Sequence, residues 1–123
     1  MAEGKFATSV SCMDGRIQIP LNAWIKENYS VDYVDTITEP GDDKTIADDS
    51  ILESIKTKIS ISINAHKSEL IVLSGHYDCA ANPVSNDEHV EMIKKGVEII
   101  SSLNLGVKVI GVWVDDSWNV NPL

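Results

Sequence analysis

Short apolar segments alternate along the chain with longer segments in which apolar residues recur every three or four positions. The short segments predict β-strands at residues 6–10, 31–37, 70–73 and 107–114. Residues 70–73 are continuously apolar, which is typical of a strand that is buried on both faces of a sheet. We therefore expect this strand to lie at the centre of the sheet.

Helical periodicity predicts three helices between these strands. The first covers residues 17–29, and the second runs to Ala65 from an N-cap at Asp48 or Asp49. The third covers about residues 87–103.

This alternation of strands and helices predicts the α/β class. We expect a single three-layer domain over residues 1–123, with a mainly parallel sheet of strand order 2-1-3-4 and helices on both faces. In this order the first and third strands are neighbours at the point where the chain reverses its winding direction. Ligands of such sheets bind beyond the carboxyl ends of the strands at that point. The loops expected to meet there are residues 12–16 and 75–79.

Both cysteines of the chain lie in these two loops. Cys12 follows the first strand, while His76 and Cys79 follow the third. A catalytic zinc site uses three protein ligands from cysteine, histidine or carboxylate side chains and keeps one position open for water. Cys12, His76 and Cys79 supply such a set, so the sequence predicts a zinc site at this edge of the sheet.

Composition and charge exclude several other classes of function. Acidic residues outnumber basic ones by 19 to 10, which gives a net charge of -9, so we expect no binding to nucleic acid or to a membrane surface. The sequence has no apolar run long enough to span a bilayer and no signal-peptide pattern, so we expect a cytoplasmic protein. It also lacks a phosphate-binding glycine loop and a Gly-x-Ser-x-Gly elbow, which excludes nucleotide transfer and serine hydrolysis.

The two loops carry a recognisable pair of motifs. Cys12-Met13-Asp14-Gly15-Arg16 and Gly75-His76-Tyr77-Asp78-Cys79 resemble the paired signatures of the β-class carbonic anhydrases, Cys-x-Asp-x-Arg and His-x-x-Cys. The resemblance extends over most of the chain. It implies a zinc lyase that reversibly hydrates carbon dioxide to bicarbonate by means of zinc-bound hydroxide.

The resemblance also implies a role for each of five residues. Cys12, His76 and Cys79 are the implied zinc ligands. Asp14 and Arg16 are the implied carboxylate–guanidinium pair beside the metal. In that arrangement Asp14 orients the hydroxide, and Arg16 keeps Asp14 ionised and off the metal.

Family resemblance further implies a homodimer or a higher homo-oligomer, formed across the edge strand at residues 31–37. Two features depart from the family pattern. Thr38-Glu39-Pro40-Gly41 stands where the family carries Arg-Asn-Ala-Gly, which places an acid at a normally basic position. The long helical arm that usually precedes the first motif is not expected, because Cys12 lies so early in the sequence.

Other interpretations of the chain stay open. It could be a non-catalytic zinc-binding or regulatory homologue, or a related zinc hydrolase of carbon disulfide or carbonyl sulfide. Cys12 and Cys79 could form a disulfide if their loops meet, and Asp14 with Arg16 could be only a surface ion pair.

Three further groups of residues have weaker functional interpretations. His66 and His89 are candidate proton shuttles, although we expect each on a solvated helix face. Trp24, Trp113 and Trp118 fit ordinary core or interface positions. Four clustered acids lack the spacing of a calcium-binding loop and are expected to form a solvated loop and a helix cap: Asp42, Asp43, Asp48 and Asp49.

Overall fold

Five strands form one sheet in a computed structural model that describes residues 3–123. Their order across the sheet is β2-β1-β3-β4-β5. The strands are β1 (Phe6–Ser11), β2 (Tyr33–Thr38), β3 (Leu70–His76), β4 (Lys108–Val114) and β5 (Val120–Pro122). The first four are parallel, and β5 runs antiparallel to β4. The predicted class and the predicted order of the first four strands are confirmed, whereas the short β5 is an addition.

Four helices connect or follow these strands: α1 (Gly15–Tyr29), α2 (Asp42–Thr45), α3 (Asp49–His66) and α4 (Asn86–Ser101). Side chains cap three of them. Asp14 accepts a hydrogen bond from a backbone N–H at the start of α1, and Asp48 does the same for α3, as the sequence predicts. Ser85 and Glu88 form a reciprocal capping box at the start of α4.

The sheet separates two apolar cores. Ile17, Leu21 and Ile25 of α1 belong to the core on one face, together with Val72 of β3. The core on the other face contains residues of α3, of α4 and of the strands β1, β2 and β3. They include Ile55, Ile59, Ile71, Leu73 and Ile100. Neighbouring residues of β3 therefore face opposite cores, and β3 is buried along its whole length. This confirms helices on both faces of the sheet.

Residues 41–49 contradict the predicted solvated loop. They contain the short helix α2, and Asp42 and Asp43 are buried rather than solvated. The reason is Ile46, which follows α2 and belongs to the core on the α3 and α4 side. Burial of Ile46 draws the start of α2 onto the sheet.

Strand ends also differ slightly from the predicted ones. β2 begins at Tyr33 because the parallel register pairs Tyr33 with Phe6, the first residue of β1. β3 continues to His76 because it pairs with β4 as far as Val114. Within residues 3–123, no helix has the length and apolar character needed to cross a membrane.

Candidate metal centre

The carboxyl ends of β1 and β3 bring three potential metal ligands together. Cys12 directly follows β1, His76 ends β3, and Cys79 lies in the loop after β3. One ligand atom of each residue lies within 4.8 Å of the other two, and the two sulfur atoms are 3.9 Å apart. All three residues are buried, and both cysteines are free thiols. The predicted residues thus share one site.

His76 has one ring nitrogen available to this site. Its Nδ1 atom forms a hydrogen bond with the Tyr77 carbonyl oxygen at 2.8 Å, in which Nδ1–H is the donor. This leaves Nε2 with the lone pair. Nε2 is buried and has no hydrogen-bond partner among residues 3–123. A buried polar atom without a hydrogen bond costs free energy of folding unless a ligand binds to it.

The donor set and its spacing suit a metal ion. Two thiols and one imidazole are typical ligands of zinc, and they leave one of four tetrahedral positions open. Sulfur atoms that each bind zinc at about 2.3 Å in tetrahedral geometry lie about 3.8 Å apart. The distance between the two sulfur atoms is 3.9 Å. Cys12, His76 and Cys79 could therefore hold a metal such as zinc with little rearrangement.

The two thiols differ in pKa. Burial raises the pKa of Cys12, but the His76 ring and nearby backbone N–H groups outweigh burial and bring it to about 7. Burial and the neighbouring Cys12 raise the pKa of Cys79 to about 11. Burial lowers the pKa of His76, yet interactions led by Cys12 leave it above its ordinary value. Because a metal binds thiolates, metal binding at neutral pH displaces the Cys79 proton.

Asp14 is held beside this cluster by Arg16. Arg16 Nε donates to Asp14 Oδ1 at 3.0 Å, and a terminal guanidinium nitrogen donates to Oδ2 at 2.7 Å. These hydrogen bonds lower the pKa of Asp14 to about 2, so its carboxylate stays ionised. Arg16 also donates to the backbone carbonyl of Asp78 at 3.0 Å and lies over the Trp118 ring. Arg16 therefore joins the two loops that carry the potential ligands.

The two other histidines are not on solvated helix faces as predicted. His89 is buried in α4 and hydrogen-bonds to Asp43. Its sequence spacing to Ile93, Gly96 and Ile100, which are also buried, follows one helical face and could have predicted this. His66 is half-buried and bonds to Asp35 through Nδ1 at 2.7 Å. It lies against Phe6 at the amino end of β1, so it is remote from the metal cluster.

Sequence reasoning also missed polar groups packed behind the cluster. Asp43 accepts hydrogen bonds from His89 and from Asn82, and both partners are buried. Asp42 is fully buried, and neither carboxylate oxygen has a hydrogen-bond partner within the described part of the chain. Burial, with the charges of Asp43 and Cys12, raises the pKa of Asp42 well above its usual range.

Known proteins with the same fold share this architecture. The β-carbonic anhydrase CafA of the fungal pathogen Aspergillus fumigatus superposes with a TM-score of 0.63 at 16% identity, over 97% of this chain and 74% of that one. Isoform I of the Trichomonas vaginalis β-carbonic anhydrase gives 0.61 at 15% identity, over 94% and 80%. Tetrameric β-carbonic anhydrases of Sordaria macrospora give 0.59 at 15% identity, over 99% and 82%.

Sequence comparison identifies the family. A search of curated proteins gives no match. A family model described as "Putative carbonic anhydrase" matches residues 2–123, which is nearly the whole chain. The chain therefore belongs to this carbonic anhydrase family and has the fold of the β-class enzymes.

Proposed function

We propose that this chain is a zinc-dependent carbonic anhydrase that interconverts carbon dioxide and bicarbonate, with Cys12, His76 and Cys79 as zinc ligands. The observation that carries the proposal is the buried Nε2 atom of His76, which has no hydrogen-bond partner among residues 3–123 and lies in a cluster with two free thiols. Membership of the carbonic anhydrase family supports the choice of substrate. The cytoplasm suits such a protein, because thiols stay reduced there.

Each residue of the site has a distinct task in this proposal. When bound, zinc would act as a Lewis acid that lowers the pKa of water toward neutrality. The hydrogen bond between His76 Nδ1 and the Tyr77 carbonyl fixes the ring tautomer that leaves Nε2 free for the metal. Asp14 would accept a hydrogen bond from the attacking water and orient it. Arg16 holds the Asp14 carboxylate ionised through two hydrogen bonds, which would keep it from binding the metal.

We also propose a homodimer or a higher homo-oligomer that forms across the outer edge of β2. One side of β2 pairs with β1, and no strand within residues 3–123 pairs with the other side. Ile61 of α3 lines a shallow groove with β2 residues and is 60% exposed. An unpaired strand edge beside exposed apolar side chains favours association. The tetrameric state of the Sordaria macrospora proteins supports an oligomer.

A non-catalytic zinc-binding protein is the second candidate. It is favoured by Glu39, a half-buried acidic residue that follows β2. Negative charge close to the site opposes the binding of bicarbonate, which is itself an anion. In this alternative the ligand set is the same, and only turnover is lost.

Metal analysis with stopped-flow measurement of carbon dioxide hydration tests the proposal. We expect about one zinc per chain, lost when Cys12 and Cys79 are both replaced by serine. We expect Asp14→Asn to keep zinc but to lower turnover by about 10- to 1000-fold. Asp32→Asn removes an exposed carboxylate at the opposite edge of the sheet and is the control.

Each outcome separates the candidates. Stoichiometric zinc without hydration above the uncatalysed rate supports the non-catalytic protein. Hydrolysis of carbonyl sulfide or carbon disulfide alone identifies an enzyme for those sulfur analogues. Zinc that survives loss of both cysteines contradicts the ligand assignment, and unchanged turnover in Asp14→Asn removes that carboxylate from the mechanism.

A further inference from the structure

We propose that Asp43 is a positioning residue for the metal centre: through its hydrogen bond to Asn82 it fixes the loop that carries Cys79. The inference rests on the proposed zinc site. Asp43 Oδ1 accepts a hydrogen bond from Asn82 Nδ2 at 3.0 Å, and Asp43 Oδ2 is hydrogen-bonded to Nδ1 of His89. All three residues are almost completely buried. One carboxylate thereby joins α2, the loop after β3, and α4.

Asn82 connects this carboxylate to the Cys79 segment. Its backbone N–H donates to the Cys79 carbonyl at 3.3 Å, which closes the turn between the two residues. The Asn82 side chain is further held by a contact of Nδ2 with Met92 Sδ at 3.3 Å. Because its side chain is anchored and its backbone bonds to Cys79, Asn82 limits the positions that the Cys79 sulfur can take.

Two glycines let α2 approach the ligand-bearing strand and loop closely. A Cβ atom at Gly75, the residue before His76, would lie 2.7 Å from Asp43 Oδ2 and 2.9 Å from Ile93 Cδ1. A Cβ atom at Gly41 would lie 3.1 Å from the backbone of Ala81, and Gly41 has a φ of +59°. The Asp43 network therefore contacts the chain beside both His76 and Cys79.

Burial gives this network the rigidity that a positioning role needs. Burying a carboxyl group without hydrogen bonds costs free energy, so loss of either partner of Asp43 is costly and the arrangement is well defined. Groups that orient metal ligands from behind typically contribute 10- to 100-fold to metal affinity or activity. Asp35 and His66 offer a comparison, since they form the same kind of hydrogen-bonded pair at a half-buried place remote from the metal cluster.

Metal affinity and cobalt spectroscopy of the full chain test the inference. Zinc affinity is measured by competition with a chromophoric chelator, and the cobalt-loaded protein reports thiolate coordination through its sulfur-to-cobalt charge-transfer absorption. We expect Asp43→Ala to weaken zinc binding by about 10- to 100-fold and to reduce that absorption. Asp35→Ala, the control, should leave both unchanged. Asp43→Asn keeps one acceptor oxygen and should restore part of the affinity.

A double-mutant cycle keeps the test decisive. If Asp43 acts through Asn82, the combined loss of affinity in Asp43→Ala with Asn82→Ala falls short of the sum of the single losses. Should Asp43→Ala fail to fold, the milder Asp43→Asn and Asn82→Ala carry the comparison. Wild-type affinity and an unchanged cobalt spectrum in folded variants overturn the inference while leaving the zinc site intact. Absence of zinc binding by the wild-type chain overturns the proposed function instead.

Discussion

At the scale of single residues, Arg16 restrains Asp14 beside the candidate site. Its guanidinium makes two parallel hydrogen bonds to Asp14 and also holds the Asp78 carbonyl of the neighbouring loop. An ionised carboxylate this close to a metal site is itself a potential ligand. In the proposed zinc enzyme, the restraint by Arg16 therefore keeps a fourth position available to water.

Replacement of Arg16 by alanine should close the site. Without its partner, Asp14 can turn toward the metal and fill the fourth position, so we expect zinc to be retained while turnover falls at least about tenfold. In the cobalt-loaded protein, azide should perturb the absorption spectrum of the wild type but not that of Arg16→Ala. Asp78→Asn removes the charge of an exposed partner of Arg16, suits the positive φ of that position, and is the control. An azide response like that of the wild type would contradict the closed site.

Asp42 should make the stability of the metal-free protein depend on pH. Its pKa is raised in the folded state, so above about pH 4 the folded protein binds more protons than the unfolded chain and stability falls as pH rises. Asparagine does not titrate, so Asp42→Asn should not lose stability in this way as pH rises. Urea unfolding in the presence of a chelator should show Asp42→Asn gaining stability relative to the wild type as pH rises above about 4. The free energy of unfolding of Asp32→Asn should depend on pH as that of the wild type does. If the free energy of unfolding of Asp42→Asn also runs parallel to that of the wild type, burial of Asp42 has no such effect.

At the scale of elements, α4 is fixed by its close approach to the sheet. Gly96 lies on the buried face of α4, and a Cβ atom there would lie 2.4 Å from Leu73 Cδ2 and 3.2 Å from Ile46 Cγ2. The same close approach buries His89, which lies about two helical turns before Gly96 on this face, and places it against Asp43. A small residue at Gly96 thus permits both the core packing and the buried polar network.

Gly96→Ala should destabilise the protein although alanine is the better helix former. The gain in helix propensity is about 1 kcal/mol, whereas overpacking of a filled core costs about 1–3 kcal/mol. Leu73 and Ile46 are both buried, so neither side chain can move away freely. Gly15→Ala is the control, because a Cβ atom at Gly15 meets nothing within 4 Å. Equilibrium denaturation should show a loss only for Gly96→Ala, and a gain there would mean that the core relaxes without cost.

At the scale of the whole molecule, the open side of β2 is the surface through which we propose that chains associate. β5 covers the outer side of β4, but among residues 3–123 the one strand that pairs with β2 is β1. This asymmetry leaves one long parallel edge available, next to the exposed Ile61.

Ile61→Lys should therefore shift the protein toward the monomer. Light scattering should give at least a dimer for the wild type and a lower mass for Ile61→Lys, because a buried unpaired charge opposes association. Ile19→Lys, at an 83% exposed position on α1, should leave the mass unchanged. A monomeric wild type at working concentration would contradict association across β2.

The sequence alone determined the fold class, the strand order and the grouping of the three potential ligands. These follow from local rules: apolar periodicity identifies the elements, and the carboxyl ends of adjacent parallel strands must lie at one edge. Cys12 and His76 stand at such ends and Cys79 follows in the short loop after β3, so no long-range packing detail was needed to bring them together.

Only the tertiary structure decided which acids and histidines are buried behind that site. Asp42 and Asp43 have the composition of a surface loop, yet the burial of Ile46 draws them inside. His89 is polar in sequence, but its helical face packs inward and its partner lies 46 residues away. The pairing of β5 likewise depends on contacts with β4 and not on its own three residues. Contacts between residues remote in sequence depend on how whole elements pack, and the periodicity of one segment does not contain that information.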